Sequence, residues 1–132
     1  MTAANKDLVR AFLECKNEHD YGLLYSEYLT PESTWVLMAP SLPNVFPLEG
    51  AGIAAFYREA DQLFEDGGPV YEIDGMIAEG PFVAVEATLH GVLRTGQEYR
   101  NRSHLLIEVR DGRIHTVRDY LDSHMIAKLY GE

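Results

Sequence analysis

The stretch "EYRNRSHLLIEVRDGRIHTVRDYLD", residues 98–122, decides the fold. Two runs of alternating residues flank Asp111-Gly112, a dipeptide that favours a tight hairpin turn. In the first run Tyr99, Asn101, Ser103, Leu105 and Ile107 share one face, against Arg100, Arg102, His104, Leu106 and Glu108. In the second, His115, Val117, Asp119 and Leu121 oppose Ile114, Thr116, Arg118, Tyr120 and Asp122. Asp119 thus sits between two apolar residues on its own face. A carboxylate desolvated there has a raised pKa, which suits a group that takes and gives a proton near neutral pH. A water-facing carboxylate, or one paired with an arginine across the sheet, fits the same spacing. Asp122 directly precedes a short helical pattern and reads as its N-cap.

Working outward, a second turn signal at Arg94-Thr95-Gly96-Gln97 separates this hairpin from a strand over 82–94. On that strand Phe82, Ala84, Glu86, Thr88 and His90 share one parity, and Val83, Val85, Ala87 and Leu89 the other. Neither face is freely polar, which suggests a sheet covered twice, by its helices and by another subunit. A shorter strand spans about Val70–Ala78, and "STWVLMA" (33–39) reads as a short buried one. The N-terminal half is helical. Leu8, Phe12 and Cys15 form a stripe widened by Val9 and Leu13, and Asp20 caps a second helix carrying Tyr21, Leu24, Tyr25 and Tyr28. Thr30-Pro31 ends it, and a loop punctuated by Pro40, Pro43 and Pro47 follows. Ile53, Phe56, Tyr57, Ala60, Leu63 and Phe64 mark a third helix, stopped by Asp66-Gly67-Gly68. Helices first and an antiparallel meander later predict an α+β fold with the helices on one face of the sheet.

The 132 residues fit a single domain, 1–132, with one core. A formal net charge of −10 repels phosphate backbones and anionic lipid, so neither nucleic acid nor membrane is an expected partner. No run approaches the roughly 20 apolar residues of a membrane span, and the first residues lack the apolar stretch of a signal peptide. The single cysteine, Cys15, forms no internal disulfide and reads as a small core hydrophobe. A soluble cytoplasmic protein is the expectation. His19, His115 and His124 have no metal-ligand spacing, and "LEGAGIAAF" (48–56) lacks the lysine and preceding strand of a phosphate loop. No metal and no cofactor are expected.

Three helices, a proline-punctuated loop and a meander ending in Tyr99, the Asp111–Ile114 turn and Arg118–Asp122 resemble the nuclear-transport-factor-2-like superfamily. The likeness covers nearly the whole chain and is to the SnoaL-like, ketosteroid-isomerase-like branch. It implies a cone-shaped barrel, a strongly curved, mixed, mainly antiparallel sheet wrapped around three N-terminal helices, with a deep pocket. It implies a homodimer through the outer sheet face. It also implies a cofactor-independent acid/base enzyme of isomerase, lyase/dehydratase or cyclase type, acting on a small, largely apolar organic molecule. The same fold hosts epoxide hydrolases and non-catalytic ligand-binding proteins, so function must come from the site.

Compared position by position, Asp119 matches an aspartate of limonene-epoxide-hydrolase-like members within the same Arg-Asp-Tyr context. The arginine and second aspartate of that triad fall on Glu86 and Thr88. The oxyanion-hole aspartate of ketosteroid isomerases falls near Ser103 and their helix-1 tyrosine near Phe12, while the strand bearing their base carries no carboxylate here. His90 is a loose counterpart of a pocket histidine in scytalone-dehydratase-like members. The expected catalytic residues are therefore Asp119, His90 and Glu86. Thr88, Asn101, Ser103, Trp35, Tyr25, Tyr57, Val117 and Leu121 are expected to bind substrate, as convergent polar groups in an aromatic pocket. An interface histidine at position 90 and a Glu86 ion pair with Arg102 or Arg118 fit the same positions. A one-residue slip in register inverts the pocket set.

Overall fold

The computed structural model describes residues 2–38 and 47–129. Ala39, Pro40 and Pro43 of the expected strand and loop, and the last three residues of the terminal helical pattern, lie outside them. Helix α1 (Thr2–Asn17) buries Val9, Phe12, Leu13, Cys15 and Lys16. Helix α2 (Tyr21–Leu23) is capped by Asp20, whose side chain accepts the Leu23 N–H at 3.1 Å, and runs on as a wider π-helical turn, Leu24–Tyr28. Strands β1 (Thr34–Leu37) and β2 (Leu48–Glu49) precede α3 (Ala51–Ala60), which tightens into a 3₁₀ turn over Asp61–Leu63. Strands β3 (Val70–Glu79), β4 (Phe82–Val92), β5 (Glu98–Arg110) and β6 (Arg113–Leu121) form the meander. Helix α4 (Ser123–Leu129) closes it, with the Asp122 carboxylate accepting the His124 N–H at 2.9 Å, as expected of a cap. Among the described residues no helix is long and apolar enough to cross a membrane.

The sheet runs β2-β1-β6-β5-β4-β3. Among the described residues only β1 and β6 are parallel, so the sheet is mixed and mainly antiparallel. Among the described residues its ends, β2 and β3, do not pair with each other. The expected cone, a strongly curved, mixed, mainly antiparallel sheet around the helices, is what forms, and it is left open rather than closed into a full barrel. Helix α1 lies on its concave face against β3 and β4. Phe12, Trp35, Ile53, Val85, Leu105 and Ile107, all fully buried, join helices to strands in one core.

The β5–β6 hairpin turns at Asp111 (φ 52°) and Gly112 (φ 72°), two successive positive φ values whose twist matches that of the flanking strands. Near that turn Glu108 pairs with Thr116 and Val109 with Ile114, which leaves His115 as an extra residue. This bulge corrects the strict alternation: Ile114 is fully buried on the inner face together with Val117 and Asp119.

The larger correction is on β4. The 93–97 turn sets the register Leu89↔Asn101, Ala87↔Ser103 and Val85↔Leu105. Paired residues share a face. The inward residues of β4 are therefore Val83, Val85, Ala87 and Leu89, and Glu86, Thr88 and His90 point to the outer face.

One polar cluster ties the helices to the start of β3. Asp61, buried at 8% exposure, accepts a short hydrogen bond from the Tyr21 hydroxyl and one from His19 Nδ1 at 2.9 Å. Gly68 passes over it at φ +132°, where an added Cβ would lie 2.5 Å from the Asp61 carboxyl carbon. Both the φ and the contact exclude a side chain. Gly68→Ala is expected to cost about 2 kcal/mol or more, lowering Tm by several degrees in a thermal melt followed by circular dichroism, with the native spectrum at low temperature retained.

Candidate active site

A cavity opens between the concave sheet face and helices α1, α3 and α4. Its walls are mainly apolar: Leu37, Phe56, Tyr57, Phe64, Tyr71, Leu89, Tyr99, Leu121 and Ile126. Four polar side chains besides the tyrosines enter it from different elements, Lys16 on α1, Asn101 and Ser103 on β5, and Asp119 on β6, and Asp61 adds a fifth from the turn after α3. The cavity is narrow, about 60 Å³ in volume, within about 630 Å³ of space between these groups when the open mouth is included. A small or flat molecule suits such a slot.

Asp119 is 1% exposed. Its neighbours across the sheet are Leu105 on β5 and Leu37 on β1, which is what an apolar-flanked parity delivers. Burial pushes its pKa up to about 7. The Trp35 indole, the Lys16 charge and the Ser103 hydroxyl all draw it back down, but not enough to offset the desolvation. Nor does the indole close a hydrogen bond of good geometry: Trp35 Nε1 and Asp119 Oδ1 are both buried without a partner. A buried carboxylate oxygen left open in this way is costly for a fold and useful for proton transfer.

Lys16 is the residue that sequence reasoning missed. It is 3% exposed and lines the same cavity. Its ammonium lies 4.0 Å from the Tyr57 ring centre, 4.9 Å from Tyr71 and 5.9 Å from Trp35, a set of three cation–π faces. Among the described residues no carboxylate stands within ion-pairing distance of it. Desolvation lowers its pKa to about 8, with Asp61 and Asp119 opposing the fall from farther off. A signal was present, because Lys16 follows Val9, Phe12 and Leu13 at helical spacing. A cation at the next position of an apolar stripe is either misplaced or required.

The other expected residues divide clearly. Ser103, Tyr57 and Leu121 line the cavity with Asp119, and so does Asn101. The Asn101 amide is already occupied, however. Its Nδ2 donates to the Tyr99 hydroxyl at 3.0 Å and to the Asp122 carbonyl at 3.1 Å, and its Oδ1 accepts the Asp122 N–H at 3.1 Å. That amide ties the end of β6 to β5 and has no hydrogen left for a ligand. Trp35 and Val117 are buried in the core beside the cavity, and half-buried Tyr25 packs against that core rather than the cavity wall.

Glu86, Thr88 and His90 are not in the cavity. Glu86 is exposed on the outer face. Thr88 is buried there, its hydroxyl donating to Asp74 at 2.9 Å. His90 Nε2 lies 3.7 Å from Glu72 in a half-exposed pair. Strand β4 thus gives the cavity no polar side chain. The thiol of Cys15 is buried, with its pKa raised chiefly by that burial, in keeping with a core role. Among the described residues no three His, Cys, Asp or Glu side chains are arranged to hold a metal ion.

The fold has many solved counterparts. PrhC from Penicillium brasilianum superposes with a TM-score of 0.84 at 15% identity, over 97% of this chain and 86% of that one. IdmH from Streptomyces antibioticus, for which a polyketide cyclase role has been suggested, gives 0.78 at 18% identity, over 97% and 99%. An LEH-like epoxide hydrolase of M. tuberculosis gives 0.76 at 21% identity, over 97% and 90%. At these identities the likeness establishes the fold. No curated protein sequence matches this one significantly. Residues 9–117 match the SnoaL-like domain model, and the chain belongs to that family.

Proposed function

We propose that this protein is a cofactor-independent acid/base enzyme, of isomerase, lyase or cyclase type, acting on a small, largely apolar organic molecule bound in the cavity. The observation that carries the reading is Asp119: a carboxylate buried in the cavity wall, one oxygen unpartnered, with a pKa of about 7. Near neutral pH such a group exists in both forms and can take a proton from one atom and return it to another. Ser103 lies beside it as a hydroxyl donor, and apolar walls exclude water from the exchange. The relatives whose names mention cyclases and epoxide hydrolases support a small-molecule enzyme. A ketosteroid-isomerase-like protein from Catenulispora acidiphila, solved in complex with trimethylamine, supports a small-molecule pocket. An epoxide-hydrolase variant of the reading is disfavoured, because the inward face of β4 is wholly apolar. The buried cysteine and acidic surface fit a reducing cytoplasm.

Proton abstraction is testable without knowing the product. In D₂O, a panel of small cyclic ketones and 1,3-diketones is expected to take up deuterium next to the carbonyl faster with the protein than without it, as read by ¹H NMR. Asp119→Asn is expected to remove that acceleration, and the wild-type rate is expected to rise through an inflection near pH 7. Exchange unaltered in Asp119→Asn would exclude the carboxylate from the reaction.

The same raised pKa has a consequence for stability. Unfolded, Asp119 titrates near 3.8, and folded near 7, so the native state binds its proton more tightly. Its contribution is complete below about pH 4 and is lost as the pH rises through 7. Asp119→Asn, which keeps the shape without the charge, is expected to melt several degrees above wild type at pH 8 and level with it at pH 4.

We further read the outer sheet face as the contact between two copies. Ile77 and Phe82, exposed at 73 and 43%, line a groove there with Ala84 and Leu106, and Tyr120 is exposed on the same face at 43%. Light scattering is expected to give a dimer for wild type and a monomer for the Ile77→Glu, Phe82→Glu double variant.

A further inference from the structure

We propose that Lys16 holds the negative charge that develops on the ligand when Asp119 takes a proton from it. The inference rests on the acid/base role of Asp119 proposed above and names a further residue of that site.

The geometry is that of a charge waiting for a counter-charge. An ammonium taken out of water loses several kcal/mol of hydration, and a buried cation is normally paired. Lys16 is 3% exposed and has only aromatic faces, at 4.0, 4.9 and 5.9 Å, in place of a carboxylate. Ring faces supply a fraction of that loss each and leave N–H donors free. Lys16 is also one of the residues that line the cavity. Asp119 enters the same cavity from the opposite layer, close enough to raise the lysine pKa but not in ion-pair contact with it. Base and cation therefore face one slot from two sides.

A carbonyl compound completes this arrangement. With its oxygen on Lys16 Nζ and its α-carbon towards Asp119, the carboxylate removes the α-proton. The C–H electron pair becomes the new carbon–carbon double bond, and the carbonyl π pair moves onto oxygen as an enolate. One negative charge leaves Asp119 and arrives beside Lys16, so the total charge in the cavity is unchanged and no oxidant is required. Return of the proton to another carbon gives an isomer, loss of a β-substituent gives a lyase, and attack of the enolate on a second carbonyl gives a ring. No other cationic side chain lines this cavity among the described residues.

A phenolate mimics an enolate oxygen without any carbon–hydrogen cleavage, so it tests Lys16 apart from Asp119. The probe is 4-nitrophenol, whose neutral and ionised forms absorb differently. Bound to wild-type protein it is expected to ionise at a lower pH than free in solution. Lys16→Met, nearly the same length and free of the buried charge, is expected to fold with a Tm no lower than wild type and to bind the phenolate at least tenfold more weakly. Asp119→Asn is expected to bind it more tightly, because the competing negative charge is gone. An unshifted ionisation on wild-type protein, no binding at all, or equal phenolate affinity in wild type and Lys16→Met would each overturn the proposal. The ionisation shift needs no variant, so the test holds even if Lys16→Met folds poorly. If the phenolate results hold while deuterium uptake is unaltered in Asp119→Asn, Lys16 stands as the anion anchor and the acid/base role fails alone.

Discussion

Two opposite charges buried in one apolar cavity, and not paired with each other, set the terms for the rest of this structure. Lys16 and Asp119 are each almost fully buried. A direct ion pair between them would relieve both, and it is not made. The fold compensates by other means. Three rings receive the ammonium. The carboxylate holds its proton up to about pH 7 and the lysine loses its own above about pH 8. A core of fully buried aromatic and branched residues around them makes the cost bearable. Stability is thus surrendered at one place, where a ligand could use the stored difference.

That surrender needs exact strand placement. The Asp111-Gly112 turn admits two positive φ values and so pins β5 against β6. With that register Ser103 and Asp119 reach the same cavity from adjacent strands. Ile114 and Asp119 are five residues apart, so an unbroken alternation would send them to opposite faces. The bulge at His115 lets Ile114 fill the core near the turn while Asp119 faces the cavity farther along. Asn101 finishes the job at the other end, clamping the backbone of Asp122 where β6 gives way to α4.

How far this was legible in the sequence varies with the kind of signal. The β5–β6 hairpin, the Asp20 and Asp122 caps and the three main helices each had local chemistry behind them, and the structure has them. The inward parity of Asp119 was readable from Val117 and Leu121. The face of β4 was not, because Ala84, Thr88 and His90 are nearly as compatible with burial as Val83, Ala87 and Leu89. Only the pairing of Leu89 with Asn101 decides it, and that depends on how many residues the 93–97 turn consumes. Lys16 was hidden by a different rule. A lysine at the edge of an apolar stripe usually extends its stem along the surface and keeps its charge in water. Here Tyr57 and Tyr71, far away in sequence, close over it, so the helical spacing that marked Lys16 as unusual could not by itself tell an enclosed ammonium from a snorkelling one.

The two charges also explain why an apolar slot can serve a reaction that moves charge. Water would screen both groups and solvate any anion wherever it formed. In a narrow cavity walled by Leu37, Leu89, Phe64 and Leu121, an anion is stable only next to the cation already there. In the proposed reaction the position of Lys16 selects which atom of a bound molecule carries negative charge, and the position of Asp119 selects which carbon gives up its proton. Were the two side chains in contact, each would neutralise the other and neither selection would operate. Their separation across the slot is therefore the feature on which a choice of reacting atoms depends, and the missing ion pair is its physical trace.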